Sequence, residues 1–191
     1  MTTPATVALT LEQIQQLAFD CLTRAGADQA NAQAVADTIM RAERDGSVSH
    51  GLFRLPGYVA ALASGKVNGQ ANPQAQAVTP VLFTCRGENG FAPLAHSRCV
   101  DAVAAAARQF GIAILALTQS HHFAALWPET EAYAEQGLAA ITGVSYMPAV
   151  APAGGGQALF GTNPISFAWP RKGATPVVFD MATAAMAKGE V

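Results

Sequence analysis

Apolar residues near the start of the chain recur at helical spacing. Positions three or four residues apart share one helix face, which here would consist of Ile14, Leu17, Ala18, Cys21 and Leu22. Thr10 and Gln13 have the spacing of a capping box, which predicts that the helix begins there. Gly26 predicts its end, because glycine readily adopts the left-handed conformation that closes a helix.

Two more helices are predicted before the pattern changes. Asp28 can cap the second, which would end near Gly46. The third would run from about Gly51 to Ser64, because Pro56 is tolerated only in the first turn of a helix. The second helix would turn three apolar side chains inward, namely Val35, Ile39 and Met40.

A polar stretch rich in turn-forming residues, 64–77, separates these helices from a different pattern. The apolar runs "VLFT" (81–84) and "IAILAL" (112–117) predict two buried strands with a helix over 93–109 between them. The later pattern predicts a helix over 125–136 and strands at 138–146, 165–170 and 176–180. The fold class is therefore α/β, with a helical subdomain over 1–76 and an α/β domain over 77–191.

Composition limits the classes of function. Hydrophobic residues make up 51% of the 191 positions and charged residues 13%, where about 25% is usual. So few charges suggest that another subunit or further chain covers part of the surface. The net charge of −2 and the absence of a basic block argue against nucleic-acid binding.

The cysteines and the apolar segments indicate where the protein works. The three cysteines form no C-x-x-C pair, which predicts neither a disulfide framework nor a zinc site and suits a reducing cytosol. The first residues carry no signal-peptide pattern, and no apolar run is long enough to span a membrane. We therefore expect a cytoplasmic protein without a membrane partner.

The stretch "SHGLFR" brings three chemically useful side chains together. Ser49 and His50 are adjacent, and Arg54 follows four positions later, on the same face if the segment is helical. Arginine can bind a carboxylate through two parallel hydrogen bonds, and histidine can move a proton near neutral pH. This combination suits a small acid that gains or loses a proton, although His50 could equally be a hydrogen-bonded structural residue.

Two further segments could approach a ligand. "SHHFAALWPE" (120–129) follows a predicted strand, where the free N–H groups of a helix start could bind a phosphate. Alternatively, His121 or His122 only caps that helix. Adjacent histidines without a further ligand at suitable spacing do not predict a metal site. The triple glycine 154–156 and "FGTNP" allow close backbone approach to a ligand, or simply form a flexible connection.

Neither a Gly-x-Gly-x-x-Gly nor a Walker motif occurs, yet four segments together resemble a known family. They are "DGSVSHGLFRLPGY", "SHHFAALWPETEAYAEQGLAA", "LFGTNPISFAWP" and "VVFDMATAAMAKGEV". Their order resembles that of the malate/L-lactate dehydrogenase family of the second, non-Rossmann type. Within that family, "HFAALW" is most similar to Δ1-piperideine-2-carboxylate/Δ1-pyrroline-2-carboxylate reductases.

The resemblance implies reduction of a cyclic imino acid by NADPH, or alternatively NADH, in a homodimer with a non-Rossmann nucleotide-binding domain. Ser49 and His50 would belong to a charge relay, with Arg54 and Thr162 at the substrate. Glu190 stands where these reductases carry the relay aspartate. The cofactor would contact His122, Phe123, Ala124, Ala125, Leu126, Asp180, Met181, Ala182, Lys188 and Gly189.

Two alternatives and one expectation about length accompany this hypothesis. In a 2-hydroxy-acid dehydrogenase acting on malate, lactate or ureidoglycolate, His50 would protonate a carbonyl oxygen. In a non-catalytic interaction module, the fold's surface would remain without turnover. Members of the family are much longer, so we expect the 191 residues to be an N-terminal fragment with poor activity.

Overall fold

The first part of the protein is a helical unit. The structure, a computed structural model, describes residues 7–122 and 124–184. The predicted capping box is present at the start of the first helix, where Gln13 N donates to Thr10 Oγ1 and Thr10 N donates to Gln13 Oε1. Asp28 caps the second helix by accepting from Asn31 N at 2.8 Å. The three helices are α1 (Leu11–Arg24), α2 (Gln29–Arg44) and α3 (Leu55–Ala63).

The third helix begins later than the sequence predicts. Two 3-10 turns, Val48–His50 and Leu52–Arg54, precede it. Gly51 separates them, and a side chain there would overlap the carboxylate of Glu43. That carboxylate accepts from Leu52 N at 2.7 Å. The segment therefore turns around Glu43, so His50 and Arg54 do not share the face of one α-helix.

The α/β part contains two small sheets rather than one. β1 pairs antiparallel with β2, and β2 pairs parallel with β3. The second sheet is antiparallel in the order β4-β5-β6. The strands are β1 (Ala75–Ala77), β2 (Leu82–Arg86), β3 (Ile114–Thr118), β4 (Ala140–Gly143), β5 (Ile165–Arg171) and β6 (Ala174–Met181). The α/β fold class is confirmed.

Three helices accompany these sheets: α4 (Ala92–Ser97), α5 (Val100–Phe110) and α6 (Trp127–Ala134). The single helix predicted over 93–109 is thus two helices, divided at Arg98 and Cys99. β3 is not a buried strand as predicted, since Ile114 is 54% exposed. α6 lies on the second sheet, where Thr130 Oγ1 and Ser166 Oγ are 2.8 Å apart.

Two apolar cores hold the chain. The larger fills the helical unit with Leu22, Val35, Ile39 and Tyr58, all buried. Phe91, which follows β2, belongs to this core and meets the edge of Tyr58 at 5.1 Å between ring centroids. The second core lies between β2 and α5. Phe91, which comes just before α4 and belongs to the first core, therefore connects the first sheet to the helical unit.

Candidate active site

The "SHGLFR" segment forms a hydrogen-bonded group between α2 and α3 of the helical unit. Ser49 Oγ lies 3.0 Å from His50 Nδ1, and Ser47 Oγ lies 3.4 Å from the same nitrogen. Arg54 Nε donates to the carbonyl oxygen of Ser49 at 2.8 Å. The structure therefore brings Ser49, His50 and Arg54 together through the 3-10 turns, although not through the helical spacing from which their proximity was predicted.

Side chains at the end of α2 connect this group to α6, the helix that follows the predicted cofactor loop, residues 122–126. Asp45 Oδ2 accepts from the indole Nε1 of Trp127 at 2.9 Å, and Arg44 binds Asp45 at 2.7 Å. Glu131 of α6 accepts from Arg41 at 3.0 Å and from Arg44 at 3.2 Å. These partly exposed ion pairs link two segments far apart in sequence, and pairs of this kind contribute only about 0–1 kcal/mol.

His122 is held by a carboxylate of α6. Its Nε2 lies 2.7 Å from Glu129 Oε1, and the two side chains are only 10% and 15% exposed. Burial by itself lowers the pKa of His122, but the hydrogen bond and charge of Glu129 outweigh it and leave that pKa raised. Burial likewise opposes ionisation of Glu129, yet His122 keeps its pKa lowered. Each side chain therefore favours the charged form of the other.

The start of α6 differs from the predicted phosphate site. The N–H groups of Leu126 and Trp127 both donate to Asp180 Oδ2, at 2.7 and 3.0 Å. The carboxylate thus occupies the positive end of the helix where a phosphate was predicted. Neither histidine caps α6 in the way considered from the sequence. His122 pairs with Glu129 instead, and His121 Nε2 lies 2.9 Å from Asn89 Oδ1.

The remaining predicted residues lie on different surfaces. Asp180 faces α6, whereas Met181 points to the opposite side of β6 and is 56% exposed. Ala182 follows, at the end of the strand. Thr162 is buried, and its carbonyl oxygen accepts from Thr183 N at 3.0 Å. Phe123, Lys188, Gly189 and Glu190 lie outside the described residues.

Gly161 explains part of the "FGTNP" signal. A side chain at Gly161 would overlap the backbone of Tyr146, so the close approach is to this protein's own chain. Asn163 Oδ1 accepts from Tyr146 N at 3.0 Å and completes the contact. The structure thus accounts for this glycine without a ligand.

A cavity of about 800 Å³ adjoins the loop. Its walls include His122, Leu126, Glu129 and Tyr133, and its far side is formed by β3 and β4. Pockets of roughly 300–1,000 Å³ are typical for small ligands and cofactors. A nicotinamide dinucleotide would fit this wall, since two of the predicted cofactor residues, His122 and Leu126, border an open space with both apolar and polar side chains.

Sequence reasoning missed three positioning carboxylates: Glu43, Asp45 and Glu129. In the sequence, each of these residues would be recognisable only as an acidic residue near the start or end of a helix, next to a segment that contains predicted site residues. Such acids are abundant on ordinary helix surfaces, so the sequence does not distinguish them. In the structure, the turn at Gly51 distinguishes Glu43, and burial distinguishes Glu129.

The described ranges 7–122 and 124–184 contain neither a cluster of metal-binding side chains nor a helix able to cross a membrane. No group of three His, Cys, Asp or Glu side chains there could hold a metal ion. In those ranges no helix is long and apolar enough to cross a membrane. The three cysteines are free, and burial raises the pKa of Cys99 to about 12.

Sequence comparison places this geometry in a family. A profile of the malate/L-lactate dehydrogenase family matches residues 9–191, and the chain belongs to that family. The Δ1-pyrroline-2-carboxylate/Δ1-piperideine-2-carboxylate reductase of Pseudomonas putida is 46% identical over 100% of this chain and 57% of its own length. The predicted resemblance to the family and to these reductases is thereby confirmed.

Solved structures agree with this assignment. The Δ1-piperideine-2-carboxylate reductase of Pseudomonas syringae pv. tomato superimposes with a TM-score of 0.93 at 44% identity, covering 97% of this chain and 56% of that one. Malate dehydrogenase of Entamoeba histolytica gives a TM-score of 0.90 at 26% identity, over 97% of this chain and 52% of that one. The chain spans about half the length of the relatives it matches.

Proposed function

We propose that the protein acts in the NADPH-dependent reduction of cyclic imino acids, converting Δ1-piperideine-2-carboxylate to L-pipecolate and Δ1-pyrroline-2-carboxylate to L-proline. The observation that carries the proposal is that the whole chain is 46% identical to a Δ1-pyrroline-2-carboxylate/Δ1-piperideine-2-carboxylate reductase. The proposal extends to NADPH as cofactor, to a cytoplasmic homodimer and to the residue roles below.

The hydrogen-bonded group supports this chemistry. Arg54 already donates from Nε to Ser49, so its terminal nitrogens are the ones that we assign to the substrate carboxylate. Ser49 fixes the His50 ring at Nδ1, and we assign proton delivery to the imine nitrogen to the opposite ring nitrogen, Nε2. When bound, a reduced nicotinamide supplies the hydride that reaches C2 of the imine. Acid catalysis of this kind contributes about 10²–10⁴-fold in rate.

A second candidate is a 2-hydroxy-acid dehydrogenase, favoured by the similarity to malate dehydrogenases such as that of Entamoeba histolytica. The same arginine would then bind the carboxylate of a 2-oxo acid, and His50 would protonate its carbonyl oxygen. Both kinds of substrate carry a carboxylate next to a polarised double bond, so protonation at an imine nitrogen or at a carbonyl oxygen separates the two reactions.

NADPH oxidation tests the two candidates against each other. The protein expressed from its complete gene is assayed with Δ1-piperideine-2-carboxylate, pyruvate, oxaloacetate and a ureidoglycolate-type acid, the last with oxidised cofactor. We expect the highest kcat/KM with the cyclic imine. A higher kcat/KM with a 2-oxo or 2-hydroxy acid would favour the dehydrogenase, and failure of NADPH to bind would favour a non-catalytic module.

A further inference from the structure

Glu129 lies in the first turn of α6 and is unusually buried for an acidic residue in that position. Its side chain is 15% exposed and meets His122 Nε2 at 2.7 Å. Both side chains border the cavity of about 800 Å³. A buried charge is rarely retained unless it is paired, and here the pair joins α6 to His122, the first residue of the predicted cofactor loop.

The surroundings of the pair favour its ionised form. The side chain of Thr142 in β4 further lowers the pKa of Glu129, and the backbone of Ala124 further raises the pKa of His122. Asp180 of β6 adds negative charge near His122, which further raises its pKa. His96 of α4 also faces the pair, but burial lowers its pKa and favours its neutral form.

A second carboxylate holds the other end of the same loop. Asp180 Oδ2 accepts from Leu126 N and Trp127 N, at 2.7 and 3.0 Å. His122 and Leu126 are therefore each fixed by a carboxylate from another element. Both ends of the loop are thus held by hydrogen bonds to other elements, as a preorganised binding site requires.

We propose that Glu129 is a positioning residue for the cofactor: through its buried pair with His122 it fixes the loop that begins at His122 and thereby sets the affinity for NADPH. This inference rests on the proposed function for the cofactor and its binding loop. Glu129 itself does not touch the reacting atoms. Its removal should therefore weaken cofactor binding while leaving kcat at saturating cofactor nearly unchanged.

The pair also gives the binding a defined pH dependence. The pKa of His122 is raised above its ordinary value of 6.5. Its charge is complete below that ordinary value and is lost as the pH rises through the raised pKa. NADPH affinity should fall over the same interval. Without the negative charge of Glu129, that fall should occur at lower pH.

The variant Glu129→Gln tests the proposal, with Glu131→Gln as its matched control. Glu131 lies two positions later on α6 and binds Arg41 and Arg44, so its replacement also removes a paired carboxylate from this helix. The dissociation constant for NADPH is measured by fluorescence titration at several pH values. The His122 pKa is followed by NMR of the imidazole nitrogens.

For Glu129→Gln we expect NADPH affinity to fall roughly 10-fold or more, together with a lower His122 pKa. Glu131→Gln should change neither quantity. Unchanged NADPH affinity in folded Glu129→Gln would overturn the positioning role. If the single variant does not fold, His122→Gln/Glu129→Gln replaces the pair by two neutral side chains. Weak NADPH binding by this double variant supports the proposal, and wild-type affinity overturns it.

The wild-type protein distinguishes this inference from the proposed function. Tight NADPH binding that Glu129→Gln weakens, without turnover of a cyclic imine, would contradict the proposed substrate and leave the positioning role intact. Imine reduction with equal NADPH affinity in wild type and Glu129→Gln would do the reverse. Failure of the wild type to bind NADPH would contradict both.

Discussion

At the scale of the residue, Arg54 has two tasks. Its Nε donates to the Ser49 carbonyl, and the proposed substrate contact uses the rest of the guanidinium. A lysine cannot perform both, because an ammonium is a single point of charge without a planar fork. Under the proposed function, Arg54 would therefore connect the shape of the Ser49–His50 turn to substrate binding.

Arg54→Lys should lower kcat/KM for the cyclic imine about 10–100-fold, since a hydrogen bond to a charged group contributes about 1.5–3 kcal/mol. The dissociation constant for NADPH should stay unchanged. Arg171→Lys is the control, because Arg171 Nε also donates to a carbonyl oxygen, that of Thr175, in the β5–β6 hairpin. Steady-state kinetics of both variants decide the point, and equal kcat/KM values would remove Arg54 from the substrate site.

His50→Asn should affect turnover rather than binding. Asparagine keeps a polar side chain beside Ser49 but cannot deliver a proton, so kcat should fall by about 10²–10⁴-fold. NADPH affinity should remain at the wild-type value in the same protein, because the proposed cofactor contacts do not include His50. A large loss of NADPH affinity measured by titration would show that His50 serves the cofactor instead.

At the scale of the element, local sequence signals were reliable where the chain itself supplies the partner. The capping box of α1 and the Asp28 cap of α2 involve residues three positions apart, and both were predictable. The start of α3 was not, because Glu43 reaches nine residues along the chain to Leu52. The occupied N-terminus of α6 was equally hidden, since Asp180 comes from a strand 54 residues away from Leu126.

Gly161→Ala should destabilise the loop before β5. The new methyl group would overlap the backbone of Tyr146, which cannot move away like a flexible side chain. Overpacking of this kind costs about 1–3 kcal/mol. Gly156→Ala is the matched control, since nothing lies within 4 Å of a side chain there. Urea denaturation of both variants gives the free energies of unfolding, and equal values would refute this account of the loop.

At the scale of the whole molecule, the low charge content corresponds to exposed apolar surface. One face of the β4-β5-β6 sheet packs on α6, while the other carries Ile141, Trp169 and Phe179, at 69%, 56% and 46% exposure. Phe167 stacks between the two aromatic rings on this face. Composition predicted that some surface would be apolar, but only the strand register shows which face it is.

The family could be predicted from four motifs, because their order is specific even though each motif is short. The contacts between these motifs could not be predicted. The Asp45–Trp127 hydrogen bond joins residues 82 positions apart, and nothing in the spacing of the motifs indicates it. The Glu129–His122 pair lies within one motif, but its importance depends on burial, which residue type does not indicate.

Isotope transfer tests the central claim most directly. The protein from its complete gene is incubated with Δ1-piperideine-2-carboxylate, pyruvate and NADPH that carries deuterium on the transferable position of the nicotinamide. Chiral chromatography with mass spectrometry then identifies the labelled product. The account predicts L-pipecolate with one deuterium at C2, and no label in pipecolate when Arg54 is replaced by methionine. Deuterated lactate in place of labelled L-pipecolate would contradict it.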